Sequence, residues 1–218
     1  MSKDDGACEG TVGFIFRFGS DAPLPRRGIG RGIREFVSRR SAVGRRAGSR
    51  CPAAGGKGGL QGDGATPTFF PFAHEKLEAD AETLNAVTAW LEEIKPDILV
   101  THWPLDTHPN HQVASSLVWR SYRARGGWNL YFFEVMTDQQ TLGFPPTLYL
   151  NIESVRAVKR EACYCHASQG PAAFWPVHEA MHRRRGAESG VSCAEAYYLV
   201  EAKTGCPLLP VSFVGRKK

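Results

Sequence analysis

Residues 75–93 place Leu77, Ala81, Leu84, Val87, Thr88 and Leu91 at intervals that bring them onto one side of a helix, with charged residues between them. The period then changes. After Pro96-Asp97 comes the short apolar run Ile98-Leu99-Val100, which predicts a strand. Residues 112–125 return to helical spacing, and Pro109 suits the first turn of that helix. Residues 128–135 predict a second strong strand and 147–152 a third, followed by a helix over 154–166. Two more helical stretches are expected at about 171–184 and 192–202. Helices regularly interposed between apolar strands predict an α/β fold whose largely parallel sheet is covered on both faces.

Upstream of Phe69 the pattern is different. Only residues 11–18, with Val12, Phe14, Ile15, Phe16 and Phe18, predict a strand. The stretch 23–64 is rich in Gly and Arg, as in Pro25-Arg26-Arg27-Gly28-Ile29-Gly30-Arg31-Gly32, and does not read as a folding unit. Such a composition loses more conformational entropy on ordering than its few apolar groups offset. Gly28, Gly30 and Gly32 have the wrong spacing for a dinucleotide loop, and no strong strand precedes them. An arm following a nucleic-acid backbone is a fairer functional reading, but few aromatics interleave with the arginines, so a disordered segment is the stronger expectation.

Charge sharpens this division. The formal net charge is +5, yet residues 1–57 hold 12 Lys/Arg against 5 Asp/Glu, while 58–218 hold 15 against 17. The positive excess belongs wholly to the first quarter. The expected organisation is a basic, poorly ordered segment over 1–60, a domain over 61–205 and a tail over 206–218. The composition upstream of about residue 60 also fits a gene that is truncated and read there in an altered frame. A transcript with an unbroken, authentic frame would refute that expectation. At 218 residues the chain can bury one sizeable core, and no apolar run reaches transmembrane length. Met1 to Gly6 lack the basic-then-apolar order of a secretory signal, so a cytoplasmic location is expected. The six cysteines are too dispersed for a disulfide scaffold, and Cys163 and Cys165 are one residue closer than a zinc knuckle requires; reduced, structural thiols are expected.

The candidate chemistry lies in Thr101-His102-Trp103-Pro104-Leu105-Asp106-Thr107-His108-Pro109-Asn110-His111. Three histidines and an Asp follow a predicted strand, the end of a sheet where open α/β proteins gather their ligands. His108 and His111, three apart, come close together if a helix begins at Pro109. One imidazole can ligate a metal while the other donates a hydrogen bond to a substrate carbonyl, and Asp106 can orient a neighbouring imidazole or hold the loop. Two histidines alone make an incomplete metal site; a hydrogen-bonded pair of loop histidines is the non-functional alternative.

This stretch resembles the signature T-H-x-x-D-x-H-P-D-H of the PIG-L/LmbE family of zinc-dependent de-N-acetylases. The resemblance extends through Gln61-Gly62-Asp63-Gly64, Tyr131-Phe132-Phe133-Glu134, Lys159-Arg160-x-Ala162 and His166-Ala167-Ser168-Gln169, roughly residues 60–202. It implies a Rossmann-like α/β fold, a zinc cofactor, and a substrate that is an N-acetylated amino sugar or similar amine. By the same resemblance His111 matches the metal ligand and His108 the histidine that stabilises the tetrahedral intermediate. Asp106 matches the loop aspartate, and His166 a histidine at the substrate side of the cleft.

Two departures matter. Asn110 replaces an Asp, removing a charge that would firm a partner histidine. More seriously, the family's A-H-P-D-D-E motif, source of two metal ligands and a general base, has no counterpart, since the first histidine is His74. The strand before that motif is central, so the sheet is expected to be incomplete at its N-terminus unless another segment substitutes. The expected function is therefore an impaired zinc-dependent deacetylase. The alternative is a non-catalytic sugar- or partner-binding domain, with Trp103, Trp128 and Trp175 available for apolar contact, although Trp128 fits a core position better. Residues 144–146, Phe-Pro-Pro, line a cleft or cover the core.

Overall fold

A computed structural model describes residues 11–16, 33–39, 66–73, 77–164 and 170–203. Strands β1 (Thr11–Phe16), β2 (Ile33–Arg39) and β3 (Thr66–Ala73) are followed by helix α1 (Ala81–Ile94), strand β4 (Ile98–His102) and helix α2 (Pro109–Arg125). Then come β5 (Asn129–Phe133), β6 (Leu148–Asn151), a 3-10 turn (Glu153–Val155), α3 (Arg156–Tyr164), α4 (Pro171–Ser189) and β7 (Ala194–Leu199). The strands form one sheet in the order β3-β2-β1-β4-β5-β7-β6.

The expected largely parallel sheet is in fact mixed. β2–β3 and β4–β5 are parallel, whereas β1–β2, β1–β4, β5–β7 and β6–β7 are antiparallel. Much of the difference comes from residues 192–202, expected as a helix. Ala194–Leu199 is instead a strand inserted between β5 and β6, where pairing on both sides outweighs the helical preference of its Ala and Glu residues. The stretch 23–64 likewise holds a strand, β2, paired with β1 and β3.

The place beside β4 that the missing strand would leave open is filled by β1. Phe14 pairs with Val100, Ile15 with Leu99 and Phe16 with Ile98, so the first three residues of β4 have ladder partners on that side. β1 runs antiparallel, however, and its carboxyl end lies at the amino end of β4.

Elsewhere local chemistry sets the boundaries. α1 starts at Ala81 because the Asp80 carboxylate accepts the Thr83 N–H at 2.8 Å, and it ends at Lys95, whose left-handed φ of 45° lets its N–H reach Leu91 O. α2 begins with Pro109 behind the N-cap His108. α4 packs so closely on the start of β7 that a Cβ on Gly186 would lie 2.7 Å from the Cys193 Cα.

Leu99, Leu130, Phe132 and Ala196 turn to one face of the sheet and pack with Val87, Trp90, Leu91 and Ile94 of α1 and Ala114, Leu117 and Tyr122 of α2. Ile98, Val100 and Tyr131 form a smaller cluster on the opposite face. Trp128, Trp175 and Phe144 are buried, which removes the first two as ligand contacts and assigns Phe144 to the core. Cys163 and Cys193 are free thiols, as expected; the other cysteines fall outside the described residues.

Candidate functional site

Every residue of β4 is buried, and the strand delivers His102, its last member, to the carboxyl end of the sheet. The chain then crosses 103–108 and enters α2, whose first turn carries His111. This crossing is held by a second segment, 134–142, which follows β5. Thr107 N donates to Gln140 O at 2.9 Å and Leu142 N to Leu105 O at 2.8 Å, with Asp106 facing Thr141 in a short antiparallel ribbon. Trp103 adds Nε1 to Leu142 O at 3.1 Å.

The ribbon's outer segment is itself braced. Met136 and Asp138 adopt φ of 43° and 65°, a region costly for side-chain-bearing residues, and the turn is closed by Gln139 and Gln140 N–H groups on Met136 O. Arg185 of α4 grips its root: Nε and Nη2 donate to the Glu134 carboxylate at 2.6 and 2.5 Å, while Nη1 reaches Glu188 at 2.7 Å. Arg184 Nη1 holds Asp138 at 2.6 Å. Burial alone would lower the Arg185 pKa, but Glu134 and Glu188 outweigh it and raise it.

Within this frame His102, Asp106 and His111 converge. All three are buried, and one ligating atom from each lies within 4.8 Å of the others. The His102 and His111 rings stack at 3.7 Å between centroids, 8° from parallel, and His108 also stacks on His111, at 4.6 Å between centroids. Asp106 Oδ1 is 3.2 Å from His111 Nδ1 and accepts the His108 backbone N–H at 2.8 Å; Oδ2 accepts the Thr141 hydroxyl at 3.1 Å. Burial works to raise the Asp106 pKa, but the hydrogen bonds from His111, His108 N–H and Gln140 win and hold it below the ordinary 3.8. Asp106 is thus an anion at neutral pH.

Two imidazoles and a buried carboxylate are the donor types that zinc takes, and the 3.2 Å between Asp106 Oδ1 and His111 Nδ1 matches about 3.3 Å between neighbouring donors in a tetrahedron with bonds of about 2.0–2.1 Å. The residues fit a divalent metal. His108 stands beside this group in a different role. Its Nδ1 accepts the Asn110 backbone N–H at 3.2 Å, so the neutral ring carries its proton on Nε2 and is a donor there.

Of the residues singled out in the sequence, Asp106, His108 and His111 come together, and His166 falls outside the described residues. His102 was overlooked as a ligand although it stands in the same T-H-x-x-D-x-H string. Gln140 and Thr141 had no local signal, because they meet Asp106 only through the ribbon.

No protein-family model and no curated protein matches the chain. Solved structures do. GalB, the 4-carboxy-2-hydroxymuconate hydratase of Pseudomonas putida KT2440, is 21% identical at a TM-score of 0.58, over 69% of this chain and 71% of that one. The conserved protein TT1542 from Thermus thermophilus is 20% identical at 0.55, over 70% of each chain. The N,N′-diacetylchitobiose deacetylase of Pyrococcus horikoshii is 17% identical at 0.57, over 65% of this chain and 60% of that one. A hydratase and a deacetylase thus share the architecture, and the site must decide the reaction. The chain shares the α/β fold of these structures.

Proposed function

We propose that this chain is a zinc-dependent hydrolase of low turnover that removes an acetyl group from an N-acetylated amino sugar or a related amine. The observation that carries the reading is the buried group His102, Asp106 and His111 at the carboxyl end of β4. These three residues would hold the zinc, which when bound polarises an amide carbonyl and acidifies a water. His108, with its proton on Nε2, is the donor for the oxyanion that develops on the carbonyl carbon's oxygen. His166, by resemblance, takes the substrate side of the cleft.

Low turnover follows from the carboxylates. A general base needs an available lone pair within reach of the attacking water. Asp106 already accepts from the His108 backbone, Gln140 and Thr141, and its pKa is held low. Glu134, the next carboxylate along the adjoining segment, is taken by Arg185 and Thr137. Neither is placed to accept a proton from water.

The test is acetate release from N-acetylglucosamine-type substrates by the purified full chain, with zinc and after chelation. Zinc-dependent release, lost in His111→Ala and lowered about 10²–10³-fold in His108→Ala, is expected. Zinc uptake without acetate release from any such substrate would replace this reading with a non-catalytic sugar- or partner-binding domain. One observation favours that second reading. Leu105 and Leu142 face each other across the ribbon at 59% and 47% exposure, an apolar pair beside the site with no catalytic use.

A further inference from the structure

The 134–142 segment carries a chain of contacts that begins on α4 and ends at Asp106. Arg185 Nε and Nη2 donate to the two oxygens of Glu134 at 2.6 and 2.5 Å. The next residue, Val135, donates its backbone N–H to the Thr141 hydroxyl at 2.8 Å, and that hydroxyl donates to Asp106 Oδ2 at 3.1 Å. A hydroxyl has one proton; with Val135 as donor to its oxygen, that proton is left for Asp106, which only accepts. Thr141 and Asp106 are 0% and 3% exposed, so water does not compete for the contact between them.

Arg185 is a fixed point for this chain. Its Nη1 lies 2.9 and 2.7 Å from the two oxygens of Glu188, which also accepts the Tyr149 hydroxyl at 3.0 Å. Two parallel N–H···O contacts fix the Glu134 carboxylate in direction as well as distance. A buried ion pair is a poor source of stability, because desolvation cancels much of the attraction; its forked geometry supplies a defined arrangement instead. Here the arrangement includes strain. Met136 and Asp138, between Val135 and Thr141, hold φ of 43° and 65°, which side-chain-bearing residues keep only where their surroundings impose it. Arg184 Nη1 on Asp138, at 2.6 Å, secures the same turn from the same helix.

We propose that Arg185 is a positioning residue for Asp106, acting from α4 through Glu134, the Val135 N–H and the Thr141 hydroxyl. Removing the guanidinium lets the strained turn relax, draws Thr141 off Asp106 and leaves Oδ2 without its donor. The relay is a property of the metal-free protein; its consequence for zinc rests on the metal reading above.

The test uses the full chain carrying Arg185→Met together with Glu134→Gln, so that neither buried charge is left alone. Hydrogen exchange in the metal-free protein is followed at Val135, Thr107 and Leu142, whose N–H groups bond to Thr141, Gln140 and Leu105, with Leu99 and Val100 of β4 as controls. Zinc affinity is read by competition with a chromophoric chelator. Exchange at the three amides should rise, and zinc affinity fall, by about 2–30-fold each, with the controls unchanged. Thr141→Val, which keeps the shape and removes the hydroxyl, should lower zinc affinity to a similar extent, and adding the Arg185 and Glu134 changes to it should lower it no further. If the double variant fails to fold, Arg185→Lys, which keeps the charge and loses the fork, is expected to move both readouts in the same direction. Wild-type exchange at the three amides, unaltered zinc affinity despite faster exchange, or losses that simply add in the triple variant would each overturn the proposal. Faster exchange in a chain whose wild type takes up no zinc would support the relay and remove the metal reading.

Discussion

Acidification from pH 8 to pH 5 should cost this protein a large part of its stability through two histidines remote from the candidate centre. His178 and His182 lie on α4, one turn apart, against Lys159 of α3 and Glu195 of β7. Lys159 Nζ is 2.9 Å from His182 Nε2 and also pairs with Glu195, while Arg156 adds positive charge near His182. Burial first, and Lys159 second, push His178 down to about 4 and His182 to about 3, with Glu195 opposing. Both therefore stay neutral when folded, whereas in the unfolded chain they titrate near 6.5. Between those values the unfolded state binds more protons, so the stability is complete above pH 6.5 and declines as the pH falls. At pH 5 each unfolded imidazole gains about a 30-fold factor that its folded counterpart lacks, a loss of about 2 kcal/mol per histidine. Because the two rings sit 6.4 Å apart and share Lys159, the pair is expected to lose about 3–4 kcal/mol rather than a strict sum. Glu195, held at about 2, and Asp106, held below 3.8, contribute their losses only at lower pH. Urea unfolding at pH 8, 6.5 and 5 measures the slope, and His182→Gln, which retains an acceptor for Lys159 but cannot titrate, should recover about 2 kcal/mol of the pH dependence. If His182→Gln and the wild type lose the same stability between pH 8 and 5, the assignment is refuted.

Three further outcomes follow from the same contacts. His102→Ala should weaken zinc binding by more than the about 10–100-fold typical of an outer-shell change, as read by chelator competition, since it removes a ligand rather than a ligand's partner. Arg185→Met leaves Glu134 buried and unpaired and should cost about 3–5 kcal/mol in denaturant unfolding; pairing it with Glu134→Gln should recover most of that loss. Gly186→Ala should destabilise by about 1–3 kcal/mol despite the better helix former, because the added methyl meets backbone atoms of Val191 and Cys193 at 2.7 Å, and thermal unfolding reads the sign directly.

The strand–loop–helix unit around His102–His111 was legible because its signals are local: an apolar run, a proline at the helix start, and histidines spaced for one turn. β7 was not. Its alternation of Ala194, Ala196 and Tyr198 with Glu195, Tyr197 and Leu199 is weak, and Ala and Glu favour a helix unless partners on both sides supply ladder bonds. With that strand misread, the parallel sheet was misread as well. β2 is a similar case, a strand defined by its neighbours amid an unpromising Arg/Gly composition. At the site, Asp106 and His111 were visible but their partners were not. Gln140 and Thr141 lie 34 and 35 positions from Asp106, and nothing in a Gln-Gln-Thr string marks it as the far side of a site. His102 was plain as a residue and obscure as a ligand, since its role appears only when the end of a strand and the first turn of a helix bring two rings to 3.7 Å.

The direction of β1 ties these observations together. Because β1 runs antiparallel to β4, its last residue, Phe16, pairs with Ile98 at the amino end of β4, opposite His102. A donor carried at the carboxyl end of β1 would have to cross the length of a strand, about 3.3 Å per residue, to reach Asp106. The centre is instead gathered from one short stretch, His102 to His111, and closed by the 134–142 segment. Donors so near in sequence need little loop closure to meet, which favours holding a cation. Among the described residues, the same economy leaves out a second carboxylate for the attacking water. Binding a cation and turning over an amide are thus separable properties on this framework, and cation uptake with little acetate release is the outcome the proposed function predicts.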